Sequence, residues 1–168
     1  SIGWILDANL NTPAGNPSLA LDGSGNPTVS WREYASGFIN ANIYVKRWNG
    51  NGWVQLGGAI DQSVSQTAKD VVLAIRTDNL PVVAWEEASN IYVKQWNGSA
   101  WSSVGGVLDK VAANEALRPA LDLRNDNNPV VTWQEGSSSN YNVYVKRWTG
   151  TTWANISSSA LDKTLTQT

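Results

Sequence analysis

Apolar and polar residues alternate with a period of two along most of this chain, the spacing that turns one side of a β-strand towards a core. Three runs share one pattern: P-T-V-S-W-R-E at 27–33, P-V-V-A-W-E-E at 81–87 and P-V-V-T-W-Q-E at 129–135. Only 110–118 has helical propensity, and we interpret it as a connection because its counterparts lack that propensity. The pattern therefore predicts an all-β chain.

Each of these runs belongs to a unit of four predicted strands. The first strands lie at 17–22, 71–76 and 119–124, and a polar loop joins each to a run that opens with proline. The third strands lie in N-I-Y-V-K-R-W-N-G, N-I-Y-V-K-Q-W-N-G and N-V-Y-V-K-R-W-T-G at 42–50, 90–98 and 142–150. A hairpin loop of four residues then leads to fourth strands that begin at Trp53, Trp101 and Trp153.

Units of about 50 residues with four antiparallel strands are typical of β-propeller blades. The chain resembles the tryptophan-rich bacterial propeller repeats with the formula P-x-V-x-W-x-E … Y-V-K-x-W-N-G-x-x-W, from about residue 16 to 162. The resemblance implies an all-β, β-propeller-type array of four-stranded antiparallel blades. It leaves the function open, because enzymes, lectins and scaffolds all use this fold.

We predict three full blades and one extra N-terminal strand within a single propeller segment, 1–168. The predicted blades are 16–61, 70–109 and 118–162. Residues 3–11 are predicted to form the extra outer strand, with Trp4 in the role that Trp53 has in the first blade. Because propellers have about four to eight blades, we expect either a longer parent chain or a homo-oligomer, and a dimer closing a six-bladed ring is the simplest form.

Composition and charge exclude several classes of function. The 168 residues carry a formal net charge of −2 with no basic stripe, so we expect no nucleic-acid partner. No apolar run approaches the length of about 18 residues that a membrane span needs, so we expect no membrane insertion. Cysteine and histidine are absent, which excludes thiolate and histidine metal sites and Ser-His-Asp catalysis. We expect no metal ion and no cofactor, and an extracellular or cell-surface location in a bacterium.

A glutamate and a lysine share one strand face with a tryptophan in every unit. Two carboxyl groups about 5–10 Å apart would suit glycoside hydrolysis. A catalytic pair needs two different environments, however, whereas each of these glutamates recurs beside a lysine in the same setting. We therefore interpret them as cross-strand charge pairs inside the blades: Glu33 with Lys46, Glu87 with Lys94, and Glu135 with Lys146.

Two tryptophans flank the hairpin loop between the third and fourth strands of every unit. They either form a cross-strand aromatic pair that sets the hairpin register or present indole rings on which sugars stack. In the second case polar groups near the loop after the second strand, which varies in length between units, would contact the sugar hydroxyls. The candidate ligand-binding residues are then Trp48, Trp53, Trp96, Trp101, Trp148, Trp153, Tyr34, Asn42, Asn90 and Asn140.

Three functions compete on this evidence. The first is a non-enzymatic binding module that recognises a glycan or a protein through loops on one propeller face. The second is a structural or adhesion unit, or a fragment of a larger propeller protein. The third is a propeller-type glycoside hydrolase, for which the innermost strands offer Asp22, Arg76, Asp122 and Arg124. Because no nucleophile–base set is visible, we expect the first function and no enzymatic activity.

Overall fold

A computed structural model shows three β-sheets packed face to face. The structure describes residues 5–35, 37, 39–109, 111–138, 140–156 and 161. Within these residues the chain forms twelve strands and no helix, and so contains no helix able to span a membrane. Each sheet has four antiparallel strands that neighbour one another in chain order. The predicted array of four-stranded antiparallel blades is confirmed.

The strands follow the repeat units. Blade 1 contains β1 (Ala14–Leu21), β2 (Pro27–Tyr34), β3 (Ala41–Trp48) and β4 (Trp53–Gln55). Blade 2 contains β5 (Ala68–Ile75), β6 (Pro81–Glu87), β7 (Asn90–Trp96) and β8 (Trp101–Ser103). Blade 3 contains β9 (Glu115–Leu123), β10 (Pro129–Ser137), β11 (Asn140–Trp148) and β12 (Trp153–Asn155). The short fourth strand leaves the outer edge of each sheet only three residues long, which limits edge-to-edge pairing.

Polar loops join the first and second strands. The Asp22 carboxylate accepts a hydrogen bond from the Asn26 main-chain N–H at 2.9 Å, and this bond, with the Asn26 amide and Arg47, holds the pKa of Asp22 at about 2. In the other two loops Asn79 and Asn127 occupy the position that Gly25 has in the first loop. Both have a φ of 64°. Asparagine adopts this left-handed region more readily than most residues do, so the loop residues identified in the sequence are those the turns require.

A β-bulge lies in the first strand of every blade, and each strand starts earlier than predicted. Two residues of the first strand oppose the central tryptophan of the second strand. The first bulge residue has positive φ in each case: Asn16 (52°), Asp70 (50°) and Arg118 (52°). A bulge bends its strand and re-aims its side chains, and these three side chains return in the candidate site.

Residues 5–13 run as a linker, so the described part of the outer strand predicted at 3–11 is not a strand. The sequence I-L-D at 5–7 corresponds to A-I-D at 59–61, in the linker ahead of blade 2. In both linkers main-chain N–H groups donate to a glutamate of the following blade. These donors are therefore not available for a strand ladder. Trp4 lies outside the described residues.

A buried glutamate attaches each linker to its blade. Glu87 is 1% exposed and accepts hydrogen bonds from Trp85 Nε1 at 2.9 Å, Gln62 N at 2.7 Å and Ser63 N at 2.6 Å. Equivalent bonds from a tryptophan and a linker N–H reach Glu33 and Glu135. A buried carboxylate that accepts several N–H bonds is compensated for its loss of hydration, so these glutamates are structural, as the sequence suggested.

Among the described residues, Lys46 and Lys94 bind main-chain carbonyl groups and do not form the predicted ion pairs with Glu33 and Glu87. Lys94 Nζ donates to the carbonyl oxygens of Ile60 at 2.7 Å and Asp61 at 3.2 Å, and it lies 5.5 Å from the Trp85 ring centroid. The strand register explains the difference, because Lys94 lies opposite Val83 whereas Glu87 lies opposite Asn90. Lys46 and Lys146 make the equivalent carbonyl and ring contacts.

The core lies between the blades. The front face of each blade carries the central tryptophan of its second strand, and the back face carries the apolar residues of its third strand that point the opposite way. The back face of blade 1, with Ile43 and Val45, packs against the front face of blade 2, with Trp85. Ile91 on the back of blade 2 packs in the same way against Trp133 of blade 3. Each sheet therefore buries its apolar faces only through its neighbours.

Candidate functional site

The predicted ligand-binding residues lie at opposite ends of the blades. One end, here the variable-loop end, carries the loops between second and third strands, and the hairpin end carries the loops between third and fourth strands. Asn42 and Trp48 are six positions apart on β3, about 20 Å at about 3.3 Å per residue. Tyr34, Asn42, Asn90 and Asn140 lie at the variable-loop end, and all three tryptophan pairs lie at the hairpin end. The structure does not bring the two groups together.

The tryptophan pairs of blades 2 and 3 lie at the junctions with the preceding blades. Trp96 and Trp101 are register partners with ring centroids 5.4 Å apart, and Trp96 is 8% exposed. Trp101 Nε1 donates to the Leu56 carbonyl of blade 1 at 2.7 Å. The pair also contacts Gly57. A Cβ added at this glycine by substitution would lie 3.2 Å from Trp101 Cδ1. The ring surface and indole N–H that a sugar would need are engaged in blade packing.

Blade 3 repeats this junction. Trp148 and Trp153 have ring centroids 5.4 Å apart, and Trp153 Nε1 donates to the Val104 carbonyl of blade 2 at 2.8 Å. A Cβ at Gly105 would lie 2.6 Å from Trp148, so this position admits only glycine without movement of the pair. Trp48 and Trp53 form the corresponding pair in blade 1, with centroids 5.8 Å apart.

The four predicted polar residues have different environments at the variable-loop end. Asn140 is exposed, and Tyr34, Asn42 and Asn90 are half-buried. The Arg32 guanidinium lies 5.3 Å from the Tyr34 ring centroid. Asn90 Nδ2 donates to a carbonyl of its own tight turn at 2.9 Å, whereas Asn42 Oδ1 is buried with no hydrogen-bond partner. These residues border the loops and do not form one cluster.

The inner strands bring a different set of polar residues together at the variable-loop end. Asn16, Asp70 and Arg118, the three bulge residues, line a cavity of about 310 Å³ together with Pro17 and Pro119. Asn16 Nδ2 lies 3.4 Å from Asp70 Oδ1. The volume falls at the lower end of the range of about 300–1,000 Å³ for small-ligand sites. We call Asn16, Asp70 and Arg118 the mouth site.

A buried carboxylate lies beside the mouth site. The Glu86 side chain is 3% exposed, and Lys69 Nζ lies 2.9 Å from its Oε1. Burial raises the pKa of Glu86, the Asp70 carboxylate raises it further, and Lys69 and the main-chain N–H of Arg118 oppose both effects. Glu86 and Asp70 are thus two carboxylates in different environments, the condition that separates an acid from a base in catalytic pairs.

An aromatic residue of blade 3, Tyr141, is close enough to Arg118 of the mouth site for the two groups to interact electrostatically. Tyr141 Oη donates to Glu115 Oε2 at 2.6 Å, and this hydrogen bond, with partial burial, raises the pKa of Tyr141. The charges of Arg118 and Glu86 also act on the Tyr141 hydroxyl. The hydrogen bond holds the Tyr141 hydroxyl against the Glu115 carboxylate.

A second cavity opens along the inner strands at the hairpin end. Its volume is about 410 Å³, and its lining includes Leu73, Ile75 and Leu121. The charged residues proposed for a hydrolase lie at this end. Asp22, Arg76 and Arg124 form ion pairs within their own blades, with Arg47, Asp78 and Asp126 respectively. Asp122 accepts a hydrogen bond from the Leu123 N–H. Asp22, Arg76, Arg124 and Asp122 thus form contacts within or beside their own loops. They do not form the pair of carboxylates that glycoside hydrolysis needs.

Sequence reasoning missed Asp70, Glu86 and Arg118 because it concentrated on what the repeats share. The signal was present in the positions where the copies differ. The residue between the conserved tryptophan and glutamate is Arg32, Glu86 or Gln134, and the bulge residue is Asn16, Asp70 or Arg118. Residues common to all blades fasten the fold, whereas Asp70, Glu86 and Arg118 are each specific to one copy and lie at the variable-loop end.

Comparisons with known proteins show the fold. The chain matches no protein-family model and no curated protein. It is similar in structure to an alpha-L-arabinanase of Penicillium chrysogenum complexed with arabinobiose, with 12% identity and a TM-score of 0.61 over 84% of this chain and 48% of that one. A GH93 alpha-L-arabinofuranosidase of Fusarium graminearum, also with arabinobiose, gives 11% identity and a TM-score of 0.64 over 89% and 50%.

A fucose lectin from Kordia zhangzhouensis in complex with methyl-fucoside gives 14% identity and a TM-score of 0.51, over 86% of this chain and 99% of the lectin. The chain thus spans about half the length of the two enzymes and nearly all of the lectin chain. At these identities the likeness shows the fold alone, and it confirms a β-propeller-type array.

The prediction that the chain is not an enzyme is contradicted by these neighbours. An arabinanase and an arabinofuranosidase, both enzymes, share its fold. The prediction relied on the absence of histidine and cysteine and on the structural role of the repeated glutamates. Carboxylate chemistry requires neither histidine nor cysteine, and the copy-specific pair Glu86 and Asp70 was not considered.

Proposed function

We propose that this chain is a glycan-binding propeller module whose ligand occupies the mouth site. The observation that carries the proposal is the convergence of Asn16, Asp70 and Arg118, from three different blades, on one cavity of about 310 Å³. Amide, carboxylate and guanidinium groups together donate to and accept from sugar hydroxyls. Tyr141 at the border offers an aromatic face against which a sugar ring can pack.

The charge of the site favours a neutral sugar. Asp70 and Arg118 carry opposite charges, Glu86 has Lys69 beside it at 2.9 Å, and Asn16 is neutral, so no single sign dominates. The solved neighbours hold arabinobiose and methyl-fucoside, which supports pentose and deoxyhexose oligosaccharides as the first ligands to test. A protein ligand bound through the variable loops is the alternative partner, and a glycan array with no positive would favour it.

Substitution of Asp70 tests where the glycan binds. Loss of a hydrogen bond to a charged group costs about 1.5–3 kcal/mol, so Asp70→Asn should weaken binding of the best array ligand about tenfold to a hundredfold, measured by titration calorimetry. Asp78→Asn is the matched control, because Asp78 carries the same group in a loop at the hairpin end. Equal affinity of wild type and Asp70→Asn would place the ligand elsewhere.

A second candidate function, hydrolysis of a glycosidic bond, is favoured by one specific observation. Glu86 is buried with a raised pKa, while Asp70 on the neighbouring strand is only half-buried. Glycosidases need one carboxyl group that stays protonated to donate to the leaving oxygen and one ionised carboxylate on the other side of the bond. Glu86 would be the acid and Asp70 the ionised partner.

Turnover separates the two candidates. A hydrolase should release the aryl group from aryl arabinosides or aryl fucosides, and Glu86→Gln should abolish release while the glycan still binds. The hydrolysis rate of the wild-type chain should fall as the pH rises through the pKa of Glu86, because the acid is then deprotonated. Binding without any turnover in wild type would reject hydrolysis of these substrates and leave the binding proposal intact.

We also propose an extracellular or cell-surface location and a ring with more than three blades. A glycan-binding surface is most useful where glycans are displayed. Fractionation of the source cells, with detection of the chain in medium and surface fractions, tests the location. Recovery in the cytosol alone would contradict it.

A further inference from the structure

An exposed hairpin loop of blade 2 directs several hydrogen-bond donors at one side-chain amide. The loop spans 97–100, between β7 and β8, and all of its residues are exposed. The carboxamide oxygen Oδ1 of Asn97 accepts from the Ser99 main-chain N–H at 2.9 Å, the Ser99 hydroxyl at 3.0 Å and the Ala100 main-chain N–H at 2.9 Å. An amide oxygen has two lone pairs, so these three donors exceed what its resting state can use.

Three donors suit an oxyanion better than a carbonyl oxygen. When a nucleophile adds to a carbonyl carbon, the oxygen gains a negative charge and a further lone pair. Donors already aimed at that oxygen stabilise the charge without reorganisation, as in the oxyanion holes of acyl-transfer sites. The donors of Ser99 and Ala100 therefore favour attack on Asn97 Cγ more than they favour the intact amide.

The nucleophile is the main-chain nitrogen of the next residue. Gly98 has a φ of 104°, and glycine has no side chain to shield its nitrogen. Within the described part of the chain, the Gly98 N–H donates to no acceptor and Asn97 Nδ2 makes no hydrogen bond. The attacking nitrogen and the leaving amide are thus both unengaged. Because they belong to adjacent residues, the attack is intramolecular.

We propose that Asn97 is a self-modification site at which the chain closes a succinimide ring. The Gly98 nitrogen gives up its proton to hydroxide and forms a bond to Asn97 Cγ. The Cγ–Nδ2 bond then breaks, and the amide leaves as ammonia after taking a proton from water. Water adds to either imide carbonyl and opens the ring to aspartate or isoaspartate. The net change exchanges ammonia for water, so water is the only co-reactant.

The equivalent loops of the other blades provide matched comparisons. Among the described residues, Asn49 Oδ1 in blade 1 accepts from two donors, the N–H groups of Asn51 and Gly52. The second Asn-Gly pair of that loop has an engaged nucleophile, because the Gly52 N–H is one of these donors. Blade 3 has Thr149 at the position of Asn97. We therefore expect Asn97 to react fastest, Asn49 next and Asn51 last.

The two products affect the hairpin differently. Aspartate at position 97 keeps a charged acceptor for the same donors and adds a negative charge to a chain whose formal net charge is −2. Isoaspartate inserts an extra carbon into the main chain between Trp96 and Trp101, which are register partners. Because Trp101 Nε1 donates to the Leu56 carbonyl of blade 1, isoaspartate should weaken that junction. The loop lies at the hairpin end, opposite the mouth site, so the reaction is independent of glycan binding.

Reaction rates at the asparagines of the intact chain test the proposal. The chain is incubated at mildly alkaline pH, and peptide mapping by mass spectrometry follows succinimide, aspartate and isoaspartate at each position. In the folded chain Asn97 should react about threefold to tenfold faster than Asn49, the value of one additional hydrogen bond. In urea the two rates should converge, because the loop donors are lost and both residues precede glycine. An equal rate ratio in folded and unfolded chains would overturn the proposal.

Ser99→Ala isolates the hydroxyl donor. It leaves both N–H groups in place, so the reaction at Asn97 should slow about threefold to tenfold. Ser102→Ala is the matched control, because Ser102 is also exposed but its hydroxyl donates to the Gln95 carbonyl. An unchanged rate in Ser99→Ala would overturn the role of the loop as an oxyanion hole.

A reciprocal pair of variants in blade 1 keeps the test sharp if a blade 2 variant unfolds. Asn51 occupies the loop position of Ser99, so Asn51→Ser adds a hydroxyl donor beside Asn49 Oδ1 and Asn51→Ala does not. Asn49 should react about threefold or more faster in Asn51→Ser than in Asn51→Ala. Equal rates in two variants with the far-ultraviolet circular dichroism of wild type would overturn the proposal.

Discussion

At the residue scale, Glu86 and Glu87 are neighbours in sequence with different roles. Strand alternation turns Glu87 to the front face, where three N–H donors from Trp85, Gln62 and Ser63 surround it. Glu86 points to the back face, beside Lys69 and the mouth site. Glu87 completes the fold, and Glu86 gives blade 2 a negative charge where blade 1 has Arg32 and blade 3 has Gln134.

Removing the structural glutamate should be severe. Glu87→Ala removes the acceptor of three N–H groups, those of the buried Trp85 indole and of the Gln62 and Ser63 main chain. A buried N–H left unsatisfied costs about 1–3 kcal/mol, and the linker also loses its attachment to blade 2. We expect the free energy of unfolding to fall by roughly 3–5 kcal/mol, measured by urea denaturation. Glu115→Ala, at an exposed position, should change it by about 0.5 kcal/mol or less. Similar losses for both variants would show that burial of Glu87 is not the cause.

Glu86 should leave a signature in the pH dependence of stability. Its pKa is raised in the folded chain, chiefly by burial, so above the unfolded value of about 4.3 the unfolded state binds fewer protons. The unfolding free energy of wild type relative to Glu86→Gln should therefore decrease as the pH rises from about 4.3, and level off above the raised pKa. Parallel stability curves between pH 4 and 8 would contradict the raised pKa.

At the element scale, each blade is built from three kinds of local structure that recur. A bulge in the first strand displaces the side chains of Asn16, Asp70 and Arg118, a tight loop reverses the chain, and a tryptophan pair closes the outer hairpin. The bulge opposes the central tryptophan of the second strand in all three blades. Because bulges re-aim side chains, the same feature that fits the strand around that tryptophan also builds the mouth site.

Gly105, at the junction of blades 2 and 3, has no room for a side chain because Trp148 and Trp153 lie against it. Gly105→Ala adds a Cβ 2.6 Å from Trp148 and 2.7 Å from Trp153 Nε1. Gly98→Ala is the control, because Gly98 also has positive φ but has no atom within 4 Å of the added Cβ. We expect Gly105→Ala to lose about 1–3 kcal/mol more stability than the control, the usual cost of overpacking. Equal losses in urea denaturation would mean that backbone strain alone matters.

At the scale of the whole molecule, stability resides in the junctions. Blade 2 is covered on both faces, and all seven residues of β6 are buried. Blades 1 and 3 each expose one face of the array, as the 62% exposure of Leu19 and the 39% exposure of Val143 show. In such an array each unit is stabilised by its nearest neighbours, so the central blade should be the last to open.

Hydrogen exchange can measure the difference in stability between the central blade and the two outer blades. Amide protons of β6 should exchange more slowly than the paired amides of β2 and β10, because opening blade 2 breaks both junctions whereas opening an outer blade breaks one. Mass spectrometry of peptides from the exchanged, intact chain gives the three rates. Uniform protection across the blades, measured at a concentration where the chain is a monomer, would contradict the gradient.

Local rules were enough to locate the strands. Alternation with a period of two, prolines that open the second strands, and loop residues such as Asn79 and Asn127 act over a few positions, so they can be recognised without tertiary information. The same alternation places Trp31, Trp85 and Trp133 on one face of their strands, and all three are buried. The N-terminal strand predicted at 3–11 failed over its described part, 5–11, because the bonds that hold that segment come from Glu33 and Lys46, far along the chain.

The sequence by itself determined the strands, the turns and the blade unit, since these depend on contacts between near neighbours. Only the tertiary structure decided which faces meet, which partners the lysines bind, and that the tryptophan pairs of blades 2 and 3 pack against the preceding blade. It also decided the candidate site, because Asn16, Asp70 and Arg118 are far apart in the chain and converge only when the inner strands pack side by side. Contacts between distant segments depend on register and packing, which no local pattern records.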